Sequence, residues 1–267
     1  MSPFKVFSPL RLYRSLLWEM TKRDLSARYK GSYFGIFWAF LMPLAMLGIY
    51  SYVFGVVFAS RWNAEGRQSV AFPIVLFAGL IVFNFLAECI NRAPSLVTAS
   101  PNLVKKSIFP LVILPWMAVF TATINAFISV AILLVGEWAL VGHIPPTAVL
   151  FPLVLIPVAL VALGIGWFLA SLGVYVRDIA QLVGLVTTAL LFLTPIFYPP
   201  QNAPGAIRTL SQFNPLAAQV QSMREVLLWG AVPSPVMYFV SIVVGWLVAW
   251  LGLIWFTRTS EGFADVL

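Results

Sequence analysis

Charge is the scarcest commodity in this sequence: 9% of its residues are Asp, Glu, Lys or Arg, against about 25% in an ordinary soluble domain. Histidine and cysteine are nearly absent, with one of each, His143 and Cys89. A lone cysteine excludes an internal disulfide and says nothing of redox compartment; it reads as a small buried hydrophobe. A lone histidine, with no His/Asp/Glu group at ligand spacing, argues against a metal centre or a catalytic cluster, and His143 reads as a turn residue. No G-x-x-x-x-G-K-[ST] run occurs, so the chain does not hydrolyse a nucleotide by that route. The acids are Glu19, Asp24, Glu65, Glu88, Glu137, Asp178, Glu225, Glu261 and Asp265, all in loops or near predicted helix ends. An ion-coupled carrier keeps acidic groups near the bilayer centre; here Glu88 and Glu137 come closest, and both read as end-of-span residues.

What the chain has in abundance is uncharged length: 61% of its residues are hydrophobic and its mean hydropathy is +0.96. About 20 apolar residues at 1.5 Å each cross the ~30 Å hydrocarbon layer. Stretches 31–60, 69–90, 107–136, 147–175, 179–198 and 235–257 are near or above that length, which predicts an all-α membrane protein with six spanning helices. The intervals between them are too short for a soluble domain, so residues 1–267 form one membrane domain.

Orientation follows from Lys and Arg, which cytoplasmic loops retain during insertion. With the N-terminus inside, Lys5, Arg11, Arg14, Lys22, Arg23, Arg28, Lys30, Arg92, Lys105, Lys106, Arg177 and Arg258 fall on the cytoplasmic side, and Arg61, Arg67, Arg208 and Arg224 outside. Both termini are therefore expected in the cytoplasm. The basic amphipathic start and the long first apolar run do not fit a cleaved signal peptide. The net charge of +7 is explained more simply by anionic lipid headgroups than by nucleic acid, because the basic residues crowd the first thirty positions beside a membrane surface.

Ser8 followed by Pro9 reads as a helix start, with serine as cap. Beyond it Tyr13, Leu16, Leu17 and Met20 share one helical face and Arg11, Ser15, Glu19 and Lys22 the opposite one, predicting an interfacial helix over 9–30. It serves as an anchor, or also as a wall for something docking from the cytoplasm. Residues 91–106 hold two prolines and cap-forming Ser and Asn, with Ser100–Pro101 a second cap pair, which favours one or two short helices. Such a helix is either a plain connector or a lever that moves two spans together. Arg177 and Asp178 mark the water line after the fourth span, or pin the spans to the cytoplasmic interface. Segment 195–234 is broken by Pro195, Pro199, Pro200, Pro204, Pro215 and Pro233. It reads as short external helices that dip back into the outer half of the membrane as a gate, or as a surface cap.

The chain holds 22 Phe, 10 Trp and 8 Tyr, most of them suited to interface belts and helix contacts. A path lined by rings also suits sugars, whose C–H faces stack on aromatics while their hydroxyls stay wet. The candidates for such a lining are Tyr33, Phe34, Phe37, Trp38, Tyr50 and Tyr52 on the first span, and Phe192, Phe197 and Tyr198 on the fifth.

Six pieces of sequence carry a resemblance: RDLSARYKGSYFGIFWAFLMPL at 23–44, SPNLVKKSIFPLVILP at 100–115, VRDI at 176–179, LTPIFYPP at 193–200, NPL at 214–216 and FADVL at 263–267. In this order around six spans they resemble the membrane subunit of ABC-2 type exporters of cell-surface polysaccharides, the O-antigen and capsule permeases, over nearly the whole chain. The resemblance implies a non-catalytic permease in a bacterial cytoplasmic membrane, a homodimer with two copies of a separate ATPase that binds ATP and Mg2+. The cargo it implies is a lipid-linked polysaccharide. It assigns the ATPase contact to the interfacial helix, with Arg23 and Asp24, and to a coupling helix with Ser100, Pro101, Asn102, Leu103, Lys105 and Lys106, beside Arg177 and Asp178. Arg23, Arg28 and Lys30 are placed to meet a lipid diphosphate at the entrance, or ordinary lipid. Two alternatives stand beside this reading: a permease of the same architecture for teichoic acid, lipid or drug, and an ATP-independent carrier or membrane transferase, which the missing central acids and catalytic cluster disfavour.

Overall fold

A computed structural model describes residues 3–57, 70–104, 109–199, 205, 209–210 and 214–266. Among them the chain is helix and turn. Its helices are α1 (Ser8–Leu12), α2 (Arg14–Tyr29), α3 (Trp38–Tyr50), α4 (Phe72–Arg92), α5 (Ser95–Thr98), α6 (Pro101–Val104), α7 (Leu114–Val141), α8 (Phe151–Tyr175), α9 (Ile179–Leu193), α10 (Pro215–Leu228), α11 (Pro235–Thr259) and α12 (Phe263–Val266).

Proline punctuates this order. Pro73, Pro115, Pro152, Pro215 and Pro235 each sit in the first turn of their helix, where the missing N–H has no partner to lose and the fixed φ is already helical. At the other end of α7, Gly142 adopts φ +75° and its N–H closes on the Trp138 carbonyl at 2.9 Å, a left-handed cap that glycine adopts without penalty.

Five apolar helical segments reach span length among the described residues: Trp38–Val57, Phe72–Arg92, Leu111–Leu140, Pro146–Tyr175 and Pro235–Val266. The sixth predicted stretch, 179–198, is helical only over the 15 residues Ile179–Leu193, about 22 Å. It stops at Thr194 because Pro195 has no N–H to continue the ladder. The first span is also displaced: predicted from residue 31, its α-helix begins at Trp38 and opens into a wider π-type turn over Ser51–Val57.

The chain runs up and down between two ends. Arg92 of α4, the α8–α9 turn, α2 and the C-terminal α12 share one end, which carries most of the described basic residues and is called here the basic end; α10 sits at the far end. α4 is the central post, with 83% of its most apolar window buried, whereas α3 is the least covered at 6%. α8 and α11 form the most extensive pair. A Cβ on Gly164 would strike the Val248 and Ala249 backbone, and one on Gly252 would strike Gly164 itself. Small residues thus bring the two backbones together, as membrane helices require where hydrocarbon gives no net drive to associate.

Candidate functional site

At the basic end three helices each contribute a pair of polar residues spaced i,i+4, and the pairs interlock. Asp24 and Arg28 stand on α2, Glu88 and Arg92 on the last turns of α4, Thr121 and Asn125 on the first half of α7. The Arg92 guanidinium donates twice to Asp24, at 3.0 and 2.5 Å, and the Thr121 hydroxyl donates to the same carboxylate at 2.9 Å. Arg28 pairs with Glu88, and the Asn125 amide donates to both Glu88 oxygens at 3.2 and 3.0 Å. The charged side chains are 14–28% exposed, dry enough for charge-assisted bonds to outweigh ordinary surface pairs. The arrangement braces α2 against α4 and α7, so a displacement of α2 pulls on both.

The i,i+4 spacing on three separate elements was the available signal for this network, and reading the acids one by one passes over it. It also changes the standing of two candidates. Asp24 and Arg28 are engaged inside the brace, while Arg23 and Lys30 are exposed.

α2 packs chiefly on α7 with Leu16, Leu17, Met20 and Thr21 turned inward; Tyr13, expected on the same face as the first three, is exposed. The helix predicted over 9–30 is nonetheless two pieces, since Tyr13 leaves helical geometry at φ −121°, ψ 26°. The Ser8 hydroxyl does not cap α1; it donates back to the Lys5 carbonyl at 2.8 Å, and Phe7 holds the cap position. Within segment 91–106 the described residues, to Val104, form two short helices, α5 and α6, after Asn91 and Arg92 have completed α4.

Between α2 and the α5–α6 elbow lies a cleft of about 630 Å³. Arg23, Asp24, Ser100, Pro101, Asn102 and Leu103 line it with Leu16 and Met20; Lys105 and Lys106 lie outside the described residues. A second cleft opens on the other side of α5, where Arg177 joins Ser95, Thr98, Gly173, Tyr175 and Val266. Arg177 and Asp178 are both exposed, at the turn between α8 and α9. α5 is thus a short ridge between two hollows. It is seated tightly: a Cβ on Gly173 of α8 would run into the Pro94 backbone. The C-terminal FADV turn closes this end, with Phe263 fully buried against Tyr175 and Phe256.

The aromatic candidates fall into three groups. Tyr33, Phe34 and Trp38 meet edge to face at the basic end, with Phe37 exposed beside them. Phe192 and Phe197 stack at 5.9 Å, and the Tyr198 hydroxyl donates to the Phe192 carbonyl at 2.9 Å. Tyr50 contacts Phe54, itself against Phe72, and Tyr52 is exposed on the same α3 segment. Tyr33, Phe34, Phe37, Tyr52 and Phe192 are exposed, whereas Trp38, Tyr50, Phe197 and Tyr198 are half-buried.

No pattern of neighbouring residues points to the role of Arg224. It is fully buried on α10 and donates from three nitrogens to the carbonyls of Val75 (3.1 Å), Pro195 (3.0 Å) and Ile196 (2.9 Å). Asn214 accepts from the Leu216 N–H as the α10 cap and donates to Thr194, both at 3.0 Å. The LTPI and NPL motifs therefore fold onto one another and hold α10 beside the first turns of α4. His143 is exposed in the turn after α7, and no group of three His, Cys, Asp or Glu among the described residues stands close enough to hold a metal. Glu137 is 2% exposed in the last turn of α7.

The ABC-2 type transporter family model matches residues 15–228. The O-antigen export system permease protein RfbA of Myxococcus xanthus is 28% identical over 95% of both chains. The protein of the same name from Klebsiella pneumoniae is 25% identical over 94% of this chain and 95% of its own. The polysialic acid transport protein KpsM of Escherichia coli is 22% identical over 80% and 81%.

Proposed function

This chain belongs to the ABC-2 type transporter family, and on that footing we propose that it is the membrane-embedded permease subunit of an ATP-driven exporter whose cargo is a cell-surface polysaccharide. The observation that carries the reading is end-to-end likeness, over 95% of both chains, to a protein named for O-antigen export. The chain supplies a conduit and the ATPase is a different polypeptide.

The basic end is the cytoplasmic one, by the excess of Lys and Arg there, so both termini are cytoplasmic. Two ATPase copies dock, one on each chain of the pair, over the clefts flanking α5, against Arg23, Ser100, Pro101, Asn102 and Leu103 on one side and Arg177 and Asp178 on the other, with Lys105 and Lys106 flanking. Their closure pushes α5 and α2, and the Asp24–Arg92 and Arg28–Glu88 brace carries the push into α4 and α7. A second copy of the chain covers α3 and the outer face of α9. The ring-bearing surfaces of Tyr33, Phe34, Phe37, Trp38, Tyr50, Tyr52, Phe192, Phe197 and Tyr198 then face a shared path, where sugars stack and slide. The cargo is held on a lipid diphosphate, met at the inner surface by Arg23 and Lys30, with Arg28 braced behind them.

The test is reconstitution with the partner ATPase and a lipid-linked glycan. ATP-dependent translocation is expected, lost in Trp38→Ala/Phe197→Ala with ATPase binding intact. Translocation without nucleotide overturns the reading; full translocation by the double variant moves the path elsewhere. Reversing Lys30 to Glu is expected to slow lipid-linked cargo and spare ATPase binding. Lost binding assigns Lys30 to docking.

A further inference from the structure

One apolar hollow in the described residues belongs to neither the clefts nor the aromatic surfaces. It is an elongated slot of about 460 Å³ between α8, α9 and α11, floored by α4 and bordered at the far end by α10. One face of α9, repeating at Ile179, Val183, Val186 and Leu190, lines it over about 16 Å. α8 runs opposite through Pro157, Val161 and Ile165. α9 packs chiefly on α4 and barely on α8, so the slot is the space that keeps them apart.

We propose that this slot is a lipid site that holds one acyl chain of a bilayer phospholipid, entering from the leaflet at the far end. Three features select that occupant. The hollow lies at membrane depth between spans, where the neighbouring medium is hydrocarbon; an apolar cavity of this kind does not hold water. Its walls are apolar along their length, and the hydroxyls on it are already committed: Thr187 to Asn91 and its own helix, Ser241 to the Met237 carbonyl. At the far end alone stands an uncommitted polar group. Gln219 lines the slot, is 4% exposed, and its Oε1 accepts no hydrogen bond among the described residues. A buried acceptor of this kind calls for a donor, and phospholipid headgroups with ammonium or hydroxyl donors bring one to the level where the chain enters. The polar group and the apolar shaft thus match a molecule with a donor at its head and a slender hydrocarbon behind it. Bound there, the chain acts as a packing element for α9. The inference stands independently of what the protein exports.

The experiment uses the full chain in vesicles of phosphatidylethanolamine and phosphatidylglycerol with a trace of phosphatidylglycerol carrying a diazirine halfway along one acyl chain. After irradiation, cross-links are expected on slot-facing Val161, Val183 and Val186 in preference to outward-facing Phe239 of α11. Filling the slot from either wall, by Val183→Phe or by Ser241→Trp at its rim, is expected to abolish the slot-facing labels; the rim variant reads the site even if the core one misfolds. Gln219→Met is expected to reduce them by about fivefold, the worth of one hydrogen bond of about 1 kcal/mol. Equal labelling of both faces, or labels that persist in the folded filled variants, overturns the proposal. So does slot labelling by a diazirine-bearing polyprenyl phosphate that outcompetes the phospholipid. Because nothing in the readout involves ATP or glycan, a negative result leaves the export reading untouched.

Discussion

The Tyr238 hydroxyl donates to the carbonyl oxygen of Leu153 at 3.1 Å, the acceptor that α8 itself cannot satisfy because Pro157, four residues on, has no N–H. In hydrocarbon such an oxygen finds no water, and a neighbouring helix must supply the donor. α11 does so, which lets a proline break stand in mid-span. Tyr238→Phe is expected to lower stability by about 1 kcal/mol. In a Pro157→Ala background, where the residue-157 N–H returns to Leu153, the same change should be nearly neutral. Melting temperatures of the four proteins check the coupling; equal losses in both backgrounds would show the two residues to be independent.

The α8–α11 seam depends on Gly164 and Gly252, whose added Cβ atoms would meet backbone rather than a movable side chain. Gly252→Val is expected to cost about 3 kcal/mol or more by overpacking, read as loss of monodisperse protein in detergent. Gly184→Ala on α9, where nothing lies within 4 Å of the site, serves as the neutral comparison.

The α2–α4–α7 brace predicts strong coupling between Asp24 and Arg92. Asp24→Asn leaves the Arg92 guanidinium, 28% exposed, without its bidentate acceptor, at a cost of about 1–3 kcal/mol. The double variant Asp24→Asn/Arg92→Gln is expected to be less damaged than the sum of its singles, and thermal denaturation of the set measures it. Additive losses would mean that the two residues do not act together.

Arg224→Lys is expected to behave almost as badly as Arg224→Gln, because three carbonyls in different directions need a planar fork and an ammonium cannot reach them together. A loss of about 3 kcal/mol is expected, with faster hydrogen exchange in 194–198 and 214–228 and unchanged exchange in α2. Full rescue by lysine would show that charge alone suffices.

Gly173→Ala tests the seating of α5. Its Cβ would drive the Pro94 backbone outward, so the ridge between the two clefts shifts. The expected outcome is normal membrane insertion with ATPase stimulation in the reconstituted complex reduced about tenfold. Unchanged stimulation would mean that α5 does not carry the push.

Much of this architecture was legible in the residues because the bilayer is a simple solvent. It demands apolar length and internal hydrogen bonding, so the uncharged runs locate the long helices, and Lys and Arg cluster at one end of the bundle. The α2 face was readable for the same reason: Leu16, Leu17 and Met20 recur at helical spacing. The grouping of Arg23, Asp24 and Ser100 to Leu103 around one cleft came through shared motifs rather than periodicity. The short α9, the break at Tyr13 and the Ser8 hydroxyl turning back to Lys5 were not legible, because helix termini depend on which local hydrogen bond wins.

Sequence by itself determined the solvent, the helical class and the polar end, since each follows from how many residues of one kind lie in a row. Only the tertiary structure decided which charges meet. Asp24 and Arg92 are 68 positions apart, and Arg224 reaches Val75 across 149. In an apolar medium a polar group must find a partner wherever the packing brings one, and that choice is made by the crossing of helices, at distances that no run of neighbouring residues encodes.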